Sequence, residues 1–357
     1  MKKFIYLAAS LSIVFGCAEK INEPECMPVP DDAFVLTVET PSTKTVFDGK
    51  DYSVEWENDD ILGVYITAEG SGTPEYYTFE KGEGNQFWSK NFKPEADKSY
   101  TYTVVYPCPE NSEPADGKVN ISIVSGTQSG ADNSSHIQTP LYGSCFVSAG
   151  ESPKIDLKHL ASIIRVNVTN STAAESVSVQ KVSVETKGDG GVSAAVAGAF
   201  SLNLETGEIS AVESSSSEAS VAVTSGTVES SAAFYVLMAP YKGDLDINVK
   251  ADDRNYIMTK TGLDFKEGFV YSTNVACADF WLDGSALPAG GNAALTKTVE
   301  DANVYAWYAD LKAGNLSIVN QGGKIKPEDG SFGKTSAYSA GDYVYTISSA
   351  GKYRVVV

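Results

Sequence analysis

Histidine and arginine are scarce in this chain: two histidines, His136 and His159, and three arginines, Arg165, Arg254 and Arg354, among 357 residues. Two histidines so far apart leave little material for a histidine-based metal centre, and no pattern ties either of them to a nucleophilic serine. Neither a GxSxG elbow nor an HExxH helix occurs. The run "EDGSFGKTS" ends like a phosphate-binding loop, but the position five residues before Gly333 holds Glu328 instead of glycine, which sets a negative charge where phosphate would lie. Basic charge is short as well. Against 46 acidic residues stand 27 basic ones, for a net charge of −19, and such a surface repels nucleic acid and anionic headgroups. Helical periodicity is nearly missing, and nothing after residue 16 is apolar for long enough to span a bilayer. No CxxC pair is present among the five cysteines. These absences give no cofactor, no metal site and no catalytic constellation, so the reading is of a protein that is not an enzyme.

What is present begins at the N-terminus. Lys2 and Lys3 precede an apolar stretch from Phe4 to Phe15, and Gly16 supplies the small residue that a signal peptidase needs. Val14-Phe15-Gly16-Cys17 resembles the lipobox of bacterial lipoproteins, in which the cysteine is acylated and becomes the first mature residue. Phe15 departs from the small residue usual at that position. The alternative is an ordinary cleaved signal that leaves Cys17 as a free thiol. Acylation would hold the chain firmly to a membrane, because each buried CH₂ contributes about 0.8 kcal/mol and lipoproteins carry two or three chains. Residues 1–16 are thus the signal peptide, and 17–31, polar and proline-rich, a stalk after the lipidated cysteine. For Cys26, Cys108, Cys145 and Cys277 an oxidising exterior permits disulfides. Sequence leaves three pairings open, with separate buried thiols as the other option.

From residue 32 onward apolar and polar residues alternate. "AFVLTVET", "DYSVEWE", "ILGVYIT", "YYTFE" and "SYTYTVVY" have the period of half-buried strands, with turn signals at Asp48-Gly49 and Asn58-Asp59-Asp60. Glu55, Glu57, Asp59 and Asp60 could suggest a glycosidase pair or a calcium loop. Along a strand, however, Glu55 and Glu57 share a solvated face opposite Val54 and Trp56, and Asp59-Asp60 reads as a turn. A second set of strands opens with "KIDLKHLASIIRVNVTN" and continues through "SVSVQKVSVET", "AGAFSLNLETGEIS", "AAFYVLMAP" and "DLDINVKA" to "GFVYSTNVACADF". Within it, "SAVESSSSEASVAVTSGTVESS" reads as a solvated loop or a loose edge strand because of its serines. A third, shorter unit follows "DGSALPAGGNAA" and runs to Val357. The fold class expected is all-β, with sandwiches joined end to end.

Several of these segments, in this order, resemble the fimbrillin and Mfa-like families of Bacteroidota. "TKTVFDGKDYSVEWENDDILGVY" resembles the family's opening; "IDLKHLASIIRVNVTN" resembles the strand that begins its second half. "AFYVLMAP" and "EGFVYSTNV" resemble later strands of that half. The resemblance covers roughly residues 32–279. It implies two tandem transthyretin-like β-sandwich domains, at 32–150 and 151–280, made as a lipoprotein and carried to the outer membrane. It also implies partners, namely other fimbrillin-like subunits joined by β-strand addition. In pilus-building members a protease cuts after an arginine near the first strand and opens a groove for the next subunit. Here no arginine lies near Phe34 to Thr40. The expectation is therefore a member that keeps its first strand and its lipid: an anchor, accessory or tip subunit of a pilus, or a surface adhesin. Glu19, Glu23 and Glu25 loosely resemble the surface-export signal of such lipoproteins.

The C-terminal β unit, residues 283–357, is similar to the starch-binding modules of SusE and SusF type lipoproteins, through "NVYAWYADLKAGNLSIVNQGG" and "GDYVYTISSAGKYRVVV". That resemblance implies a surface glycan-binding protein as the alternative function, with polysaccharide as partner. Trp307, Tyr308 and Lys312 are its candidate contacts. A tryptophan within alternating "VYAWYADL" equally reads as a core residue.

Overall fold

The computed structural model describes residues 29–41, 56–109, 113–188, 193–287, 293–297, 305–320, 323–324, 338–340 and 344–356. Every regular element among them is a strand.

The first ten strands are β1 (Phe34–Glu39), β2 (Ile61–Ala68), β3 (Glu75–Lys81), β4 (Gln86–Ser89), β5 (Tyr100–Tyr106), β6 (Lys118–Ile123), β7 (Thr127–Ser129), β8 (Leu141–Val147), β9 (Lys154–Asp156) and β10 (Lys158–His159). Eight of them form one sheet in the order β10-β8-β5-β2-β3-β4-β1-β9. Its two ends, β9 and β10, are separated in the chain by Leu157 alone, so the sheet wraps until its edges meet. Gly143 lies where they meet: a Cβ there would fall 2.5 Å from the carbonyl oxygen of Asp156, closer than any side chain can approach. Alternation fills the interior. Tyr100, Tyr102, Val104 and Tyr106 of β5 face Leu36, Val38, Phe79 and Phe87, while Val105 faces out.

The next nine strands are β11 (Ser162–Ser171), β12 (Val177–Lys187), β13 (Gly198–Asn203), β14 (Ile209–Ala211), β15 (Glu218–Val228), β16 (Ser231–Met238), β17 (Tyr241–Ala251), β18 (Arg254–Phe265) and β19 (Val270–Ala278). A three-stranded sheet, β16-β11-β19, packs on a five-stranded one, β18-β17-β12-β15-β7, around a core that includes Ile164, Val166, Val182, Val221, Phe234 and Val249. In β12 the buried valines are Val177 and Val179, then Val182 and Val184. That change of parity within one strand requires an extra residue, and the register against both neighbours shifts there, between Val179 and Lys181. β15 decides between the two readings of the serine-rich stretch, a loop at 212–217 and a strand from Glu218 to Val228. It is an eleven-residue strand paired on both sides, because Ala219 and Val221 alternate into the core while the intervening serine and its neighbours face outward.

β16 explains how the two sandwiches join. It is buried on both faces, which is why "AAFYVLMA" reads as a continuous apolar run. Phe234, Val236 and Met238 enter the second sandwich. Ala233, Tyr235 and Leu237 enter a separate cluster with Tyr65, Val105 and Tyr142 from the outside of the first sheet and with a small sheet of order β14-β13-β6. Strands therefore cross residue 150 in both directions. β6 and β7 pair with strands of the later segment, and β9 and β10, from the stretch that opens it, complete the first sheet.

The remaining strands are β20 (Trp281–Asp283), β21 (Ala293–Ala294), β22 (Thr296–Lys297), β23 (Tyr305–Leu311), β24 (Gly314–Asn320), β25 (Gly323–Lys324), β26 (Tyr338–Ala340), β27 (Tyr345–Ile347) and β28 (Gly351–Val356). One sheet runs β21-β20-β24-β27-β26, with β25 on β24, and the other β22-β23-β28. Leu282, Leu311, Leu316, Ile318, Ile347 and Val355 are among their shared core.

Candidate functional site

Three places on this framework have the chemistry of recognition. The first is β1. It pairs antiparallel with β4 and parallel with β9, so both of its edges are used. Leu36 and Val38 are fully buried, and Phe34 stacks on Tyr102 at 5.9 Å with Phe92 edge-on at 5.1 Å. Without β1, two strand edges and an aromatic-lined slot would stand open, the form into which a strand from another chain fits. Arg165, Arg254 and Arg354 all lie in later strands.

The second is the outer edge of β16, which is closed by side chains instead of a strand. Ser125 Oγ accepts from Leu237 N at 2.8 Å. Gln128, with no exposed surface, accepts from Tyr235 N through Oε1 at 3.0 Å and donates through Nε2 to the carbonyls of Ala233 and Gly130. Asp132 accepts from Ala233 N, and His136 Nε2 donates to Tyr235 O at 3.1 Å. Sequence reasoning placed His136 in a polar loop and missed the other three. Their partners lie about a hundred residues away, so no local pattern announces them.

His159 ends β10 beside the junction. Its Nδ1 lies 3.1 Å from Thr139 Oγ1, its Nε2 has no partner among the described residues, and burial pushes its pKa down to about 4. The sequence reading of His159 as a structural residue near the domain junction agrees with this position.

The other residues weighed from sequence have local roles. Asp60 accepts from Glu57 N at 2.7 Å and from Tyr106 Oη at 2.6 Å, and Trp56 packs edge-on against Tyr106 and Phe87. Glu57 and Asp59 are exposed, and Glu55 lies outside the described residues. Cys108, Cys145 and Cys277 are free thiols, and burial pushes all three pKa values up, that of Cys277 to about 12. Protonated thiols of this kind are poor nucleophiles. Cys17, Cys26, Glu328 and Gly333 lie outside the described residues. Among the described residues no cluster of three or more His, Cys, Asp or Glu could hold a metal, and no helix is long and apolar enough to cross a membrane.

The third place is the C-terminal unit. The side chains of Trp307 and Tyr308 lie outside the described residues; their backbones pair with Val355 and Arg354. Val355 is a core residue and Arg354 is exposed, so the two candidates occupy alternate register positions. Lys312 is exposed, and its backbone N donates to Ala286 O. Between the two sheets a cavity of about 60 Å³ is lined by Leu311, Leu316, Ile318, Ile347 and Val355, with Tyr345, Tyr353 and Arg354 as its polar members.

No family model matches the chain, and no curated protein matches it. Solved structures do. One is a proposed cell adhesion protein of Bacteroides ovatus, at 17% identity and TM-score 0.49, with 68% of this chain and 91% of that one covered. A fimbrial protein of Bacteroides vulgatus is similar at 11% identity and TM-score 0.40, over 69% of this chain and 95% of that one. A fimbrial assembly protein of Parabacteroides distasonis is similar at 12% identity and TM-score 0.38, over 81% and 95%.

Proposed function

We propose that the chain is a lipid-anchored cell-surface protein of fimbrillin-like type, serving as an anchor, accessory or tip subunit or as a surface adhesin, and working through strand-mediated assembly and adhesion. The observation that carries this reading is β1. It is the first described strand after the stalk, it is fully built into the first sheet, and it covers an aromatic-lined slot of the width of one strand. With no arginine near it, arginine-directed processing has no site there, which supports a subunit that retains β1 and remains tethered through Cys17. Main-chain hydrogen bonds at exposed strand edges then provide affinity for homologous subunits, and side-chain pockets provide selectivity.

Intact mass spectrometry of the chain purified from its native membrane tests the proposal. The expected species begins at Cys17 with acyl mass and retains every residue to Val357. A species without lipid, or one that begins downstream of Glu39, refutes the retained-strand reading. The glycan-uptake alternative is tested separately by retention on immobilised starch: Trp307→Ala abolishes retention if the C-terminal unit holds sugar by aromatic stacking, and leaves it unchanged otherwise.

A further inference from the structure

We propose that the far edge of β18 is a self-association site, at which a second copy of this chain pairs antiparallel about a two-fold axis through Ile257 and the five-stranded sheets of the two copies become continuous. This deepens the strand-mediated reading above and rests on it: the edge is β18, and the partner is the chain itself. At twelve residues β18 is the longest strand described, and among the described residues it pairs with β17 alone and ends its sheet. The two-residue turn Asp252-Asp253 joins β17 to β18, and Ala251 and Arg254 close the ladder beside it. A pair that flanks such a turn exchanges both of its main-chain bonds, and pairs of this kind alternate along an antiparallel ladder. Arg254, Tyr256, Met258 and Lys260 therefore turn their main-chain groups to β17, whereas Asn255, Ile257 and Thr259 turn theirs to the open side.

The register follows from where the strand is regular. It starts at the turn and is interrupted after Lys260 by a bulge: Lys260 pairs with Leu245 but Leu263 with Gly243, and Gly262 between them has a φ of +65°. Ile257 is the midpoint of the uninterrupted stretch 254–260, so two copies pair along all of it only with Ile257 opposite itself. Asn255 then lies opposite Thr259 of the second copy, and each of these pairs exchanges two main-chain bonds. The side chains suit this arrangement. Ile257 is 56% exposed although Asn248, Asn255 and Thr259 surround it, and the axis sets it against its own equivalent. On the inner face Met258, only partly buried against the core, comes beside Tyr256 of the second copy. Arg254 falls opposite Lys260, but its guanidinium is held by Asp279 at 2.6 Å. On the outer face Lys250 and Lys181 continue the row of Asn255, and Asp246 and Glu185 continue the row of Thr259. Lys181 and Asp246 keep their own partners, Glu218 and Lys187. What the axis adds is opposite sign along each row, where a net charge of −19 would otherwise repel a second copy.

Sedimentation equilibrium of the full chain in density-matched detergent, together with cysteine crosslinking, tests the site. The expected result is a reversible dimer at high micromolar concentration, which Ile257→Asp, a change at an exposed position, weakens at least about tenfold by setting two like charges on the axis. With copper–phenanthroline as oxidant, Ile257→Cys yields a disulfide between the two positions 257, because the Cα separation of a hydrogen-bonded pair, about 5.5 Å, lies within disulfide reach. Asn255→Cys alone does not crosslink, but it does so when mixed with Thr259→Cys; mass spectrometry of the linked peptides separates these bonds from those of the native thiols. A chain that stays monomeric, a dimer indifferent to Ile257→Asp, or crosslinks in any other register would overturn the proposal. The intact mass above reads lipid and the retention of β1 only, so failure of this site and failure of the anchored reading appear in different experiments.

Discussion

Acid should weaken this fold through one residue more than through any other histidine chemistry it possesses. His159 is 6% exposed and makes one side-chain hydrogen bond, to Thr139, and burial lowers its pKa from 6.5 to about 4. In the unfolded chain the ring takes a proton as pH falls through 6.5; in the folded chain it stays neutral until about 4. Between these values the unfolded state binds more protons, so stability is intact above 6.5 and declines with falling pH until the folded-state pKa is reached. A separation of 2.5 units corresponds to about 3 kcal/mol in full, of which about 2.5 kcal/mol is lost by about pH 4.5. That is a large part of the 5–15 kcal/mol typical of a folded domain.

The comparison that isolates this effect is wild type against His159→Gln, since Gln still offers a polar partner to Thr139 but does not titrate. Urea denaturation of both at about pH 7.5 and pH 4.5 removes the contribution of the many carboxylates, which the two proteins share. Wild type should lose about 2.5 kcal/mol more than the variant over that interval. With only two histidines in the chain, a proton NMR titration can follow both rings. A His159 resonance that titrates near 6.5, or equal acid sensitivity in the two proteins, would refute the reasoning.

Two further perturbations probe the places where strands meet. Gln128→Ala would strand the buried backbone N of Tyr235 and remove the donor to the half-buried Gly130 carbonyl, while the Ala233 carbonyl keeps Asp132 N; a loss of about 3 kcal/mol in urea denaturation is expected, from about one to three for each orphaned group. Gly143→Ala would drive a methyl into the Asp156 carbonyl and against Ile155 and Leu157 where the first sheet closes, with a cost of about 1–3 kcal/mol and a lowered thermal midpoint.

Most strands were legible because their alternation is local. The parity change inside "VSVQKVSV" even encodes the bulge in β12, since a strand cannot otherwise bury Val179 and Val182 on one face. β18 was missed because it is an edge strand: Asn255, Ile257 and Thr259 are exposed, and Thr, Lys and Gly dilute the pattern. For β15 the composition left a solvated loop and a loose edge strand equally open, because serine on its outward face looks like linker; pairing with β12 along its length and with β7 at 222–224 makes it a strand. The side chains that close the β16 edge were invisible for a different reason. Ser125 meets Leu237 across 112 positions and Gln128 meets Tyr235 across 107, so the signal exists only in the folded chain. Asp60 illustrates the same limit, since its turn was legible and its bond to Tyr106, 46 positions away, was not.

The same long-range contacts decide whether the second sandwich can stand by itself. A chain of residues 151–357 would retain β11, β16 and β19 but lose β6, β7 and the polar side chains along β16. Ile163, Tyr235, Leu237 and Val270, each buried against the missing segment, would face water. At about 1.5–3 kcal/mol for each such side chain, the loss is on the order of 10 kcal/mol before the unsatisfied edge of β16 is counted, which matches or exceeds the whole stability of a typical domain. Residues 151–357 expressed alone should therefore be aggregated or unfolded by circular dichroism and NMR, whereas residues 32–280 should fold. A soluble 151–357 fragment with dispersed amide resonances and a cooperative melt would show that the cluster between the sandwiches is dispensable, and with it the argument that the chain folds across its own midpoint.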